Sequence, residues 1–162
     1  MATTGQKFGF AWPRNPRPNG ASVLFDELLL PDEAVLESSA ADEAIARLPI
    51  RLPWYRSLPM SCIEGLEIAI DDETVPADHV SIEIAGTPRS LADVAQSHDA
   101  VWFVLDTAQA IIQTPAPISP GDHRVSIAVT LRIPYSDPDF RPFRFVQTAR
   151  TARTVSFIGR DS

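Results

Sequence analysis

Between His123 and Ile133 the chain alternates for eleven residues, with His123, Val125, Ile127, Val129, Leu131 and Ile133 on one side and Arg124, Ser126, Ala128, Thr130 and Arg132 on the other. A helix, at 3.6 residues per turn, cannot gather a period-two set on one face, whereas a pleated strand does so automatically. The run therefore reads as a long β-strand with a buried face, fed by the turn residues Pro120-Gly121-Asp122. Further period-two segments surround it. From Cys62 to Ile70 the positions Cys62, Glu64, Leu66, Ile68 and Ile70 alternate with Ile63, Gly65, Glu67 and Ala69, giving one mostly apolar face, and Asp71-Asp72-Glu73 reads as a turn. His79 to Ala85 places Val80, Ile82 and Ile84 on one side and Ser81 and Glu83 on the other, closed by Gly86 and Pro88. Val101 to Asp106 and Ala110 to Thr114 read as two short strands, and Phe143 to Thr148 with Thr154 to Ile158 as a final pair.

About seven short strands with turn signals between them and scarcely any long helical pattern predict an all-β fold, an antiparallel β-sandwich or jelly-roll. At 162 residues and 44% hydrophobic, one domain accommodates the chain and buries roughly 70% of the surface that its unfolded form exposes. The expected division is a domain over 21–162 preceded by an extended arm over 1–20, where three prolines, three glycines and the spaced aromatics Phe8, Phe10 and Trp12 show no sustained period. Ser22 to Leu30 suits either a strand or a helical turn, and the acidic stretch from Pro31 to Ala46 suits a short helix or two ended by Pro49.

Charge narrows the function classes. With 14 basic and 21 acidic residues the net charge is −7, the wrong sign for binding that depends on neutralising phosphates, which argues against nucleic acid and anionic membrane surfaces. No run approaches the ~20 apolar residues that a membrane-crossing helix needs, and the first 20 residues lack the apolar core of an export signal. Cys62 is the only cysteine, so an internal disulfide is impossible and a cytoplasmic location is expected.

Catalytic spacings are missing. His79, His98 and His123 form no HxH, HxxxH or HExxH pair, there is no GxSxG elbow, P-loop or GxGxxG, and the carboxylates of Asp71, Asp72, Glu73 and Asp78 read as a solvated hairpin tip. His123, at the start of a strand on its apolar face, is expected to be a structural histidine, and Cys62 a small buried hydrophobe. The stretch Ile50 to Leu66, IRLPWYRSLPMSCIEGL, instead has the composition of a contact surface, because Trp and Arg offer large rigid rings or planar five-donor forks at small entropic cost.

The string LPWYRSLPMSCIEGLEI at Leu52 to Ile68, with WFVLD at Trp102 to Asp106, GDHRV at Gly121 to Val125 and LRIPYS at Leu131 to Ser136, resembles the β subunit of bacterial C-glycoside deglycosidases. The resemblance implies a small sandwich subunit acting beside a larger α subunit, a TIM barrel holding a divalent metal, usually manganese, in a hetero-oligomer. It further implies cleavage of the carbon–carbon bond between a 3-oxo sugar and an aromatic aglycone by removal of the C2 proton and elimination. No metal or cofactor is expected on this chain, and no catalytic motif of the family has a position here onto which it carries. Trp54, Tyr55 and Arg56 are the expected partner-contact residues, followed by Arg51, Arg132 and Tyr135. Two other readings stay open: a free-standing carbohydrate-binding sandwich in which Trp54, Tyr55 or Trp102 stacks on a sugar, and an independent enzyme using its scattered carboxylates.

Overall fold

The long alternating strand forms the middle of the fold. The structure is a computed structural model that describes residues 23–38, 44–134 and 146–159; the arm over 1–20 and Tyr135 lie outside them. Strand β10, Gly121–Arg132, pairs along its whole length with β11, Val146–Ile158, from Gly121 opposite Phe157 to Arg132 opposite Val146. Its other side pairs with β4, Ile63–Ile70. All six residues of the predicted face, His123 to Ile133, are buried, and so are Ser126 and Ala128 on the opposite face. The two C-terminal segments expected as a strand pair belong to one continuous strand within the described residues, since the Thr-Ala-Arg-Thr steps fill the middle of β11. β-branched Thr suits a pleated surface and Arg is tolerated where its head reaches water.

Among the described residues, eleven strands divide into a nine-stranded sheet, in the order β5-β4-β10-β11-β1-β2-β9-β6-β7, and a separate ladder of β3 and β8. The remaining sheet members are β1 (Leu36–Ser38), β2 (Ile45–Arg51), β5 (Glu73–Thr74), β6 (Val80–Ile84), β7 (Thr87–Ser90) and β9 (Thr107–Gln113); β3 is Leu58–Pro59 and β8 is Val101–Trp102. Every pairing is antiparallel except β1 with β11. β1 is the thin joint of the sheet, meeting β11 only at Phe157 and Ile158 and β2 only at Ala46 and Arg47. Two four-stranded halves thus curl around one core that contains Leu48, Ile50, Ile68, Ile82, Ile112, Ile127 and Val129. The all-β single-domain expectation holds, with one curled open sheet supplying both layers.

The acidic stretch predicted as helical contributes strands where it is described. β1 and β2 occupy it, and Pro49 lies inside β2 rather than ending an element. Pro49 sits opposite Gln109 of β9 but beyond the two residues that β1 covers, so on that side no described strand needs the missing N–H. A short helix, α1 (Val23–Leu28), fills the gap where β1 stops: the Asp26 carboxylate accepts the Arg150 N–H of β11 at 2.8 Å, and the Leu29 carbonyl accepts the Arg51 N–H of β2 at 3.0 Å. A second helix not expected from the sequence, α2 (Leu91–Gln96), touches β4 at one end of the sheet and β6 and β7 at the other. It closes the curl, and its start is fixed by the Ser90 hydroxyl, which accepts the Asp93 N–H at 3.1 Å.

Two hairpins are tight. Asp71 and Asp72 (φ 48° and 74°) connect β4 to β5, and Ala85 and Gly86 (φ 51° and 78°) connect β6 to β7. Positive φ at both central positions is the type I′ arrangement whose twist matches the flanking strands.

Candidate functional site

Loops at one end of the β3–β8 ladder present an apolar surface. After β2, the chain runs through Leu52, Pro53 and Trp54, all buried, to Tyr55 and Arg56, both exposed. Trp54 is 8% exposed, with its ring centroid 5.0 Å from Phe25 and 4.9 Å from Tyr55, so it belongs to the core and supports the Tyr55 ring from behind. Tyr55 itself is 60% exposed. The loop is then bound to its neighbour: the Ser57 hydroxyl accepts the Val104 N–H at 2.9 Å, and Leu58 and Pro59 pair with Trp102 and Val101.

Beyond that ladder the expected strand from Val101 to Asp106 stops at Trp102. Trp102 is buried, and its indole N–H donates to the Asp106 carbonyl at 3.1 Å, folding 103–105 outward as a tight loop. Phe103 and Leu105 consequently stand 59% and 91% exposed, beside Val101 at 37%. A continuous apolar run reads as a buried strand, which hides these two as surface residues in the sequence. The signal against a strand is the failure of the run to alternate. Arg51, exposed, ends β2 opposite Thr107, the first residue of β9 after this loop, so Arg51, Tyr55, Arg56, Phe103 and Leu105 all sit on segments joined at one end of the molecule.

Arg132 lies past the other end of the β3–β8 ladder, at a cleft. A bulge in β4 leaves Glu64 as an extra residue between Ile63, opposite Leu131, and Gly65, opposite Thr130, and the Glu64 carboxylate lies 3.6 Å from Arg132 Nε. Together they line a cleft of about 500 Å³ between β4 and α2, with Ser61, His98, Leu66 and Leu91. The ladder continues to this cleft, since Met60 N–H donates to the Ala100 carbonyl at 2.8 Å and Ser61 N–H to the Ser97 carbonyl at 3.1 Å. Cys62, next to the cleft residues, is buried; its burial pushes the thiol up from its ordinary value, against the opposing pull of Arg132. Tyr135 is outside the described residues.

The most developed polar arrangement is a structural one. His123 Nδ1 lies 2.5 Å from the Asp71 carboxylate and Nε2 lies 2.6 Å from the Ser119 carbonyl. The Ser119 carbonyl and an ionised Asp71 carboxylate both accept, so the arrangement favours the imidazolium form of the ring. The Asp71 hydrogen bond raises the His123 pKa, against burial, with the Ser119 carbonyl adding to it. For Asp71, burial pulls upward, but the His123 bond, the Arg124 N–H at 2.9 Å and the imidazolium charge outweigh it and leave the carboxyl lowered. The ring also meets Phe157 edge-on at 6.2 Å. With no position for a reacting atom between its partners, this dyad ties the β4–β5 turn to the start of β10.

Among the described residues no three His, Cys, Asp or Glu side chains converge as a metal-ligand set, and no helix is long and apolar enough to cross a membrane. The sugar-stacking reading loses two of its three rings, because Trp54 and Trp102 are 8% and 1% exposed.

The C-glycoside deglycosidase beta subunit profile matches residues 27–135, which contain the β3–β8 ladder, both loops and the cleft. A 3'-dehydrocarminate deglycosidase beta subunit of Microbacterium sp is 35% identical over 115 residues, 70% of this chain and 86% of that one. C-glycoside deglycosidase beta subunits of Microbacterium trichothecenolyticum and Arthrobacter globiformis are 34% identical over 109 residues (66% and 82% of the two chains) and 31% identical over 90 residues (56% and 69%). A match over most of the described strands, at this identity and coverage, places the chain in the C-glycoside deglycosidase beta subunit family.

Proposed function

We propose that this chain is the small subunit of a heteromeric C-glycoside deglycosidase and that the reactive groups belong to a larger partner, a TIM-barrel subunit carrying a divalent metal such as manganese. The family match carries the reading: the two Microbacterium relatives are beta subunits, and the matched segments span 86% and 82% of their lengths. The metal belongs to the partner in the arrangement that the family resemblance implies.

On this reading the substrate is a 3-oxo sugar joined through carbon to an aromatic aglycone. The ketone acidifies the neighbouring C2 proton. A base removes it, the electron pair forms the C1–C2 double bond, and the aryl carbon leaves C1 with the bonding pair and is reprotonated. The contribution of this chain is to bind the barrel beside its active site and exclude water while the carbanionic character develops. Tyr55 and Arg56 meet the partner, with Trp54 behind them and Arg51 at their side. A cytoplasmic complex of more than two chains is part of the same proposal.

Reconstitution tests it. Titrating this chain into the purified larger subunit should raise turnover of a 3-oxo C-glycoside to a plateau at a fixed molar ratio. Full turnover by the larger subunit alone, or by this chain alone, would refute it.

A further inference from the structure

Resting on that reading, we infer that the larger subunit docks on the face built by the two bound loops, with Phe103 and Leu105 as the central contacts beside Tyr55, and with the cleft at Arg132 and Glu64 as the continuation of the same face. Three observations carry this. First, the apolar side chains are exposed by construction and not by looseness. Trp102 and Trp54 anchor the two loops from inside, and the Ser57 hydroxyl and the Trp102 indole fix their backbones. A rigid loop that presents Leu105 at 91% and Phe103 at 59% exposure keeps apolar area in water at a cost that only burial against another surface recovers, and it loses little entropy on docking.

Second, one backbone ladder joins the loops to the cleft. The ladder from Ser57 and Val104, through β3 and β8, to Ser61 and Ser97 leads directly into the cleft, where the polar pair Glu64 and Arg132 supplies the charged rim that interfaces carry around an apolar centre.

Third, the occupant follows from where the exposed apolar residues lie. Tyr55, Val101, Phe103 and Leu105 all fall inside the 27–135 segment shared with the beta subunit family, whereas Val146 and Ile158, the exposed apolar residues of β11, fall outside it. A surface serving the partner common to such subunits belongs in the shared segment.

The experiment measures affinity for the purified larger subunit by titration, with the full chain. Leu105→Asp and Phe103→Asp should each weaken binding at least about tenfold, with the far-UV circular dichroism and melting temperature of the free chain unchanged. Ile158→Asp should leave affinity within about twofold, the ordinary size of a peripheral effect. Both loop variants binding like wild type would overturn the inference while leaving the heteromer intact. If instead the loop variants abolish self-association of the free chain without altering partner affinity, the face joins two copies of this chain and the inference is again overturned. Wild-type chain that fails to bind the larger subunit refutes the proposed function itself.

Discussion

Replacing Trp54 with alanine separates the two roles a tryptophan can have in this loop. Its indole is 8% exposed and packed on the Phe25 and Tyr55 rings at 5.0 and 4.9 Å, within the same cluster as Leu29, Leu52 and Leu58. Removing a buried Phe or Trp ring costs about 3–5 kcal/mol, from lost transfer energy and the cavity left behind. Because this ring sits at the margin of the core, where exposed Tyr55 can relax into the space, about 3 kcal/mol is expected. That is a large part of the roughly 5–15 kcal/mol by which a domain is stable. For a chain of this length, each kcal/mol lowers the melting temperature by about 2–4 °C, so Trp54→Ala should melt about 6–12 °C lower. Tyr55→Ala, at a site 60% exposed, should change stability by no more than about 0.5 kcal/mol. Urea unfolding followed by far-UV circular dichroism avoids dependence on the deleted fluorophore. A Trp54→Ala protein with the wild-type midpoint would refute the packing argument.

The His123–Asp71 pair makes stability depend on pH with a definite sign. Because the folded pKa of His123 lies above its ordinary 6.5, its contribution is complete below that value and is lost as pH rises through the folded pKa; Asp71, lowered from 3.8, contributes above 3.8 and loses its part as pH falls through its folded pKa. The difference in urea midpoint between wild type and His123→Gln should therefore be largest near pH 5–6 and shrink toward alkaline pH, and a constant difference would contradict the assignment. Ala85 occupies the left-handed region at φ 51° on an exposed turn, so Ala85→Gly should stabilise by about 0.5–1 kcal/mol, read from the same unfolding curves. Cys62 is 1% exposed with a thiol pushed up mainly by burial, and a maleimide reagent at pH 8 should label it only at the rate at which the protein opens; labelling of native protein as fast as a free thiol would show that the site is accessible.

Period-two patterning located the strands that have one solvated face, because alternation records which side chains meet the core. β6 and β10 were legible on that basis, down to the buried set from His123 to Ile133, and β4 was legible as a strand, but its bulge at Glu64 puts Ile63 on the buried side where the alternation had put Glu64. β2 was not. Its burial alternates, but Pro49 and the acidic residues before it resemble a helix end, and only the shortness of β1 explains why proline is harmless there. α2 carried a local start signal in Ser90 and Asp93, yet at six residues it is held mainly by closing the curl between β4 and β6, a long-range cause. The site shows the same division. Tyr55 and Arg56 were readable from composition, while Phe103 and Leu105 were hidden because their exposure depends on the Trp102 indole bonding to the Asp106 carbonyl. The structural role of His123 was expected from its place on an apolar face, but its carboxylate partner, Asp71, lies 52 residues away and no local pattern reveals it.

Hydrogen exchange, comparing the free chain with the chain bound to its larger subunit, tests most directly the claim that this domain folds on its own core and works through a partner. Backbone amides of the Tyr55–Ser57 and Phe103–Asp106 loops, together with those of Ser61 and His98 at the cleft, should gain protection on binding, while the solvent side of the β6–β7 hairpin stays unchanged. Unaltered exchange in both loops, with protection appearing at that hairpin or along the exposed end of β11, would contradict it.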